Sequence, residues 1–212
     1  MIKAMIFDLD GTIGNTVPLC IKAFRKSTES FIGRNITDEE IVATFGPSEE
    51  GTIKALIPEY YEEGIKQYMQ YYKEFHNECP KPFDGIVEVI RELKKKEILV
   101  AMVTGKGRKS VDITLEQFGM VGLFECIEAG SINGARKREG ITCVIEHFNI
   151  NPEEAYYIGD APNDIIAARD AGVGIISAAW ADMLCVEEIK RLKPDKLFRT
   201  IKEFEEFISI HL

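Results

Sequence analysis

The chain has 212 residues, 45% of them hydrophobic and 29% charged, the balance of an ordinary globular protein. That length suits one sizeable domain, or a core domain carrying a smaller insertion. A net charge of −9 argues against a general nucleic-acid binder, and no apolar run approaches the roughly 20 residues of a membrane span.

In chain order, the first strand signal is KAMIFDLD, which begins at Lys3. Residues 16–82 then show no convincing strand, and helical patterns follow one another. Within them Tyr61, Ile65, Tyr68, Tyr72 and Phe75 recur at helical spacing, which marks one face of a helix and, most simply, the interior of this segment. Pro80 and Pro82, in CPKPFDG, punctuate a return to alternation. From there GIVEVIRELKKKE, SVDITLEQFG, REGITCVIEHFNI and NDIIAARDAG carry helical periodicity. Between and after them lie the strand-like runs ILVAMVTG, AYYIGD and VGIISAAW, with weaker ones at LFECIEAG and DKLFRT. Alternating strands and helices predict an α/β fold built on a parallel sheet, and near-continuous apolar runs fit strands buried on both faces. The expected organisation is a core of residues 1–15 and 83–212, interrupted by a helical unit of residues 16–82.

The five cysteines, Cys20, Cys79, Cys126, Cys143 and Cys185, are dispersed and predict free thiols in a reducing compartment. No basic segment followed by an apolar one opens the chain, so no secretory signal is expected and the cytoplasm is the expected location. His76, His147 and His211 form no zinc-type spacing.

Ligands of open parallel sheets bind at the carboxyl ends of the strands. Here the first strand ends in Asp8 and Asp10, a second in Thr104 and Gly105, and a third in Asp160, with Asp164 four residues on. Carboxylates gathered at one sheet edge repel each other unless a cation joins them. Mg²⁺ suits such a place, because it takes a few carboxylates together with water and phosphate oxygens. The fragment TGKGRKS does not satisfy the spacing of a nucleotide-binding P-loop.

These motifs resemble, in order and over nearly the whole chain, those of the haloacid dehalogenase superfamily, in the branch similar to phosphoglycolate phosphatase. Asp8-Leu9-Asp10-Gly11-Thr12 matches the D-x-D-G-T motif, Thr104 the hydroxyl residue after a hydrophobic strand, and GDAPNDIIAARDAG the acidic cluster. The third motif, a lysine often followed by proline, is matched by Lys137 in GARKREGI, where the proline is missing and Arg136 and Arg138 compete for the role. The resemblance implies a Rossmann-like core with an inserted helical cap. It further implies a Mg²⁺-dependent phosphatase acting on a small phosphorylated metabolite. In that reading Asp8 is the nucleophile and Asp10 the general acid and base. Thr104, Gly105 and Lys137 hold the phosphate. Asp8, Asp160 and the main-chain carbonyl of Asp10 hold the metal, and Asp164 supports them. The loop TFGPSEEG resembles the cap loop that faces the substrate, although Ser48, Glu49 and Glu50 equally suit a helix start. If its acids face the site, they disfavour strongly anionic leaving groups. Asn15 stands where the family commonly has an acid, at the expected hinge.

Other readings within the same fold are a haloacid dehalogenase, which needs no metal, and a β-phosphoglucomutase-like phosphotransferase, whose His-Lys pair is not found in the insertion. A non-catalytic phosphoacceptor or binding module is the reading from a different class. No coiled-coil pattern occurs, and a monomer or weak homodimer is expected, with neither nucleic acid nor membrane as partner.

Overall fold

Short apolar runs, buried on both faces, build the centre of the molecule. The computed structural model describes residues 1–181 and 186–212, so Cys185 lies outside the described residues. After β1 (Ala4–Phe7) come four helices, α1 (Val17–Ile32), α2 (Asp38–Val42), α3 (Glu49–Leu56) and α4 (Tyr61–Phe75). Helices and strands then alternate: α5 (Ile86–Lys95), β2 (Leu99–Val103), α6 (Arg108–Gln117), β3 (Cys126–Glu128), α7 (Lys137–Phe148) and β4 (Ala155–Gly159). The chain ends with α8 (Pro162–Asp170), β5 (Gly174–Ala178), α9 (Val186–Leu192), β6 (Lys196–Phe198) and α10 (Ile201–His211).

The strands form one parallel sheet in the order β3-β2-β1-β4-β5-β6. This is the parallel α/β architecture expected from the alternation, and the Rossmann-like core that the resemblance implies. Because successive side chains on a strand point to opposite faces, each strand feeds two cores. Met5, Phe7, Val100, Met102 and Ile158 pack on one face against α5, α6 and α10. Ala4, Ile6, Ala101, Val103 and Tyr157 pack on the other against α7, α8 and α9. Among the described residues no helix is long and apolar enough to cross a membrane.

Helix α10 has no counterpart among the elements expected from the sequence. Its start carries a legible signal: the Thr200 hydroxyl accepts the Glu203 N–H at 3.2 Å, while the Glu203 carboxylate accepts the Thr200 N–H at 3.3 Å. This reciprocal cap satisfies donors that the first helical turn leaves free. The helix then buries Phe204 against Phe7, Trp180 and Phe198.

Register sets up the site. Phe7 lies opposite Met102 of β2 and Ile158 of β4. The chain therefore leaves all three strands at nearly one level, and Asp8, Thr104 and Asp160 emerge side by side. Strand order also reverses about β1, the place where open α/β sheets form a crevice.

The helices between β1 and α5 have an interior of their own, made by Leu19, Phe24, Ile41, Ile53, Tyr68 and Tyr72. Tyr68 and Tyr72 of the aromatic stripe are fully buried, and Tyr61, Ile65 and Phe75 pack at the margin. One polar chain ties this interior to the sheet domain. The Tyr72 hydroxyl lies 2.7 Å from Thr114 Oγ1, which lies 3.1 Å from His76 Nε2, and His76 Nδ1 lies 3.0 Å from the Cys79 carbonyl. A carbonyl only accepts, so Nδ1 carries the proton; the single Thr114 hydroxyl proton lies between Nε2 and the Ser110 carbonyl, 2.9 Å away, and Tyr72 donates to Thr114. Burial lowers the His76 pKa, which suits this neutral form. A Thr114→Val substitution strands two buried polar groups and should cost about 1–3 kcal/mol. Urea unfolding should show this as a lower midpoint at constant slope; an unchanged midpoint would contradict the linkage.

Candidate active site

The turn after β1 separates two neighbouring carboxylates. Asp8 still belongs to the sheet ladder, its N–H donating to the Ile158 carbonyl at 2.8 Å. The chain then folds back, with Gly11 N–H on the Gly14 carbonyl and Ile13 N–H on the Leu9 carbonyl, both at 2.9 Å. Gly11 is required twice: its φ is +74°, and a Cβ there would overlap the Asp160 carboxylate. The turn sends Asp8 and Asp10 to different partners. Asp8 Oδ1 accepts the Leu9 N–H at 2.7 Å, and its Oδ2 meets Lys137 Nζ at 2.6 Å. Asp10 accepts the Thr16 hydroxyl and lies 3.3 Å from Lys106 Nζ.

On the Asp8 side, carboxylate oxygens of Asp8, Asp160 and Asp164 all lie within 4.8 Å of one another. Asp164 is fully buried near the start of α8, where it accepts the Ala161 N–H at 2.9 Å and Lys137 Nζ at 2.5 Å. Lys137 opens α7 and is the only ammonium group that contacts this triad among the described residues. Its neighbour Arg136 is engaged by Glu128 at 3.0 Å and the Ala129 carbonyl at 2.8 Å, while Arg138 lines the cavity. Burial, offset in part by Lys137 and reinforced by Asp164, pushes Asp8 up to about 6. Burial and the same acidic neighbours push Asp160 well above the usual carboxylate range. Lys137 moves upward because Asp164 and Asp8 outweigh the cost of its burial. Three carboxylates against one ammonium leave excess negative charge in a place of oxygen donors, which fits a hard divalent cation.

Thr104 and Gly105 line the same cavity from the end of β2. The Thr104 hydroxyl oxygen accepts the Lys106 N–H at 3.3 Å, so its own proton is free to point to a ligand. Gly130 holds this loop: its N–H donates to the Lys106 carbonyl at 2.8 Å, and a Cβ on it would overlap the Gly105 carbonyl.

Lys106 is the residue that sequence reasoning passed over. It sits in TGKGRKS, a fragment that fails as a P-loop, yet its side chain is 2% exposed. Its Nζ lies 3.1 Å from Cys20 Sγ, 3.3 Å from Asp10 and 3.6 Å from Glu49, and 4.6 Å above the Tyr72 ring. The available signal is a lysine two residues beyond a strand-end threonine. Glu49 is also buried, and its Oε2 accepts the Gly107 N–H at 2.5 Å, at the start of α6. Ser48 precedes α3 without capping it through its side chain; its hydroxyl donates to Glu50 at 2.6 Å. Lys106 lines the same cavity of about 560 Å³, which the helical segment lines with Val17, Cys20, Phe24, Phe45, Glu49 and Tyr68.

Comparison with known proteins places the chain. Residues 5–178 match the haloacid dehalogenase-like hydrolase family. A protein of Caldanaerobacter subterraneus subsp. tengcongensis named "Putative pyrophosphatase PpaX" is 33% identical over 92% of this chain and 89% of its own length. The "Pyrophosphatase PpaX" of Anoxybacillus flavithermus is 26% identical over 99% of this chain and 98% of its own. In fold, the crystal structure of a "predicted phosphoglycolate phosphatase" from Haemophilus somnus superposes with a TM-score of 0.81 at 22% identity, covering 100% of this chain and 98% of the other. The chain belongs to the haloacid dehalogenase-like hydrolases.

Proposed function

We propose that this hydrolase is a Mg²⁺-dependent phosphatase that cleaves a small phosphate monoester through an aspartyl-phosphate on Asp8. The observation that carries this reading is the division of the two carboxylates by their turn. Asp8 lies with Lys137 in the acidic triad, and Asp10, lining the same cavity, meets Lys106 instead. A nucleophile and a proton donor need different surroundings, and one carboxylate cannot serve both needs at once.

Asp8 Oδ2 attacks phosphorus, the ester oxygen leaves with a proton from Asp10, and Asp10 then takes a proton from the water that hydrolyses the acyl phosphate. The free Thr104 hydroxyl, the Gly105 amide and Lys137 stabilise the phosphoryl oxygens, where charge spreads in the transition state. Asp8, Asp160 and the Asp10 carbonyl are the proposed metal ligands, with Asp164 fixing Lys137 and bordering the same oxygens. Mg²⁺ bound there neutralises the carboxylates and the phosphate together. Residues 16–82 act as a cap over the cavity, excluding water and choosing the leaving group. The names of the relatives and of the structural neighbour support a phosphate substrate. The unpaired Cys20, Cys79, Cys126 and Cys143 support a reducing, cytoplasmic setting.

The test is phosphate release from a panel of small esters, with and without Mg²⁺. Release should require the metal and vanish in Asp8→Asn, and metal-independent release, or release that survives in Asp8→Asn, would contradict the assignment. Asp10→Asn should retain substrate binding and lose about 10²–10⁴-fold in kcat for esters with poor leaving groups.

The acidic triad also predicts a pH dependence. Asp8 at about 6, against its ordinary 3.8, binds its proton more tightly folded than unfolded. Its contribution to metal-free stability is therefore present below the unfolded value and is lost as pH rises to about 6. Mg²⁺ binds the ionised form, so it should raise Tm more at about pH 7.5 than at about pH 5. Equal gains at both values would contradict this.

A further inference from the structure

Thr104 and Lys137, the two side chains proposed to hold the phosphoryl oxygens, belong to different segments. A residue that does not line the cavity is tied to the backbone of one and to the neighbour of the other. Glu128 ends β3, the edge strand beside β2. Its carbonyl accepts the Thr104 N–H at 3.1 Å, which carries the strand pairing one step past β2. Its carboxylate Oε2 accepts Arg136 Nη1 at 3.0 Å, and Arg136 immediately precedes Lys137. The same Nη1 donates to the Ala129 carbonyl at 2.8 Å, so one guanidinium nitrogen grips the strand end at two neighbouring residues.

The start of α7 needs such an anchor. Arg136 stands at the N-cap with φ −139° and ψ 23°, its side chain caps no N–H, and no proline stiffens the first turn. Gly140, at the end of that turn, packs so closely on β2 and β3 that a Cβ would come within 2.8 Å of the Val103 side chain and 3.2 Å of Glu128 Cβ. This packing sets how near the helix lies, and the Arg136 bridge sets where along the strand end it begins. Lys137 depends on that setting. Its ammonium rides on a flexible four-carbon stem, yet it meets Asp8 Oδ2 at 2.6 Å and Asp164 Oδ1 at 2.5 Å at once. With side chains 33% and 26% exposed, the Arg136–Glu128 pair contributes little to overall stability, because screening and side-chain entropy offset most of its attraction. What it contributes is geometry, and a misplacement of about 1 Å in a reacting group can cost about 10²-fold in rate.

We propose that Arg136 and Glu128 are positioning residues for the phosphoryl transfer: their bridge fixes the start of α7 on the end of β3 and thereby aims Lys137 at the transferring group. This rests on the phosphatase reading above. Glu128 holds Thr104 through its main chain and Arg136 through its side chain, so the two phosphate-holding residues share one reference point at the edge of the sheet. Neither positioning residue lines the cavity, so the bridge does not touch the leaving group. Losing it therefore weakens the hold on phosphate by the same factor, whatever alcohol the phosphate is attached to.

The experiment measures kcat and KM for two esters with unlike leaving groups, and the affinity of the Mg²⁺-loaded, full-length enzyme for inorganic phosphate. The proteins compared are the wild type, Arg136→Ala, Arg136→Lys, Lys137→Ala and the double variant Arg136→Ala/Lys137→Ala. Arg136→Ala should lower kcat/KM by about 10–10²-fold for both esters alike and weaken phosphate binding several-fold, while Tm falls by no more than about 4 °C. Arg136→Lys, which still presents a cation to Glu128, should recover part of both losses, and it keeps the test open if Arg136→Ala fails to fold. The double variant should bind phosphate no more than about twofold more weakly than Lys137→Ala alone, because Arg136 acts through Lys137. Unchanged kcat/KM in Arg136→Ala, a loss confined to one ester, or losses that multiply in the double variant would overturn the positioning role and leave the phosphatase standing. A wild type that binds phosphate but releases none from any ester would overturn the phosphatase reading, and the phosphate affinities would still decide the role of the bridge. A wild type that binds no phosphate would overturn both.

Discussion

Three carboxylates and one ammonium group, confined where water barely reaches, determine the rest of this site. Asp8, Asp160 and Asp164 approach one another within 4.8 Å because β1 and β4 are adjacent parallel strands and α8 starts directly after β4. Burial first, and then the repulsion within such a cluster, raises the values of Asp8 and Asp160. Lys137 relieves part of the repulsion by touching both Asp8 and Asp164. The remainder is what a divalent cation and a phosphate group need, the cation for its ligands and the phosphate for the cation.

The second carboxylate of the first motif escapes this confinement, and the reason is local. Gly11, at positive φ and with no room for a Cβ beside Asp160, turns the chain so sharply that Asp10 faces the helical segment. There it meets Thr16 at the start of α1, Cys20 within α1, and Lys106 from the loop after β2. The core and the inserted helices therefore share one electrostatic unit. Glu49 completes it at the N-terminal end of α6: burial raises its pKa, and Lys106 and the Gly107 N–H offset part of that cost.

Much of this is legible from residue order alone. Parallel strands were announced by apolar runs such as ILVAMV and AYYI, and their carboxyl ends named Asp8, Thr104 and Asp160 without any coordinates. What the sequence conceals are placements set by tertiary packing. Lys106 lies in a stretch rich in basic residues, and nothing in TGKGRKS separates the buried lysine from Arg108 and Lys109, which a helix start exposes to solvent. Glu49 and Glu50 are adjacent and chemically alike, yet only Glu49 is buried, because α3 presents one side to the cavity. Helix α10 was legible too: Ile201, Phe204 and Ile208 recur at helical spacing and the Thr200–Glu203 cap marks its start, but it follows a short edge strand after which no further element was expected.

The proposed chemistry turns on the covalent role of Asp8. The most direct measurement is rapid acid quenching of the Mg²⁺-loaded enzyme during turnover of a good ester, followed by mass spectrometry of the peptide that contains Asp8. A phosphoryl adduct on Asp8 should appear with substrate and decay as substrate is exhausted. Turnover with no adduct at any time, or an adduct on another residue, would contradict it.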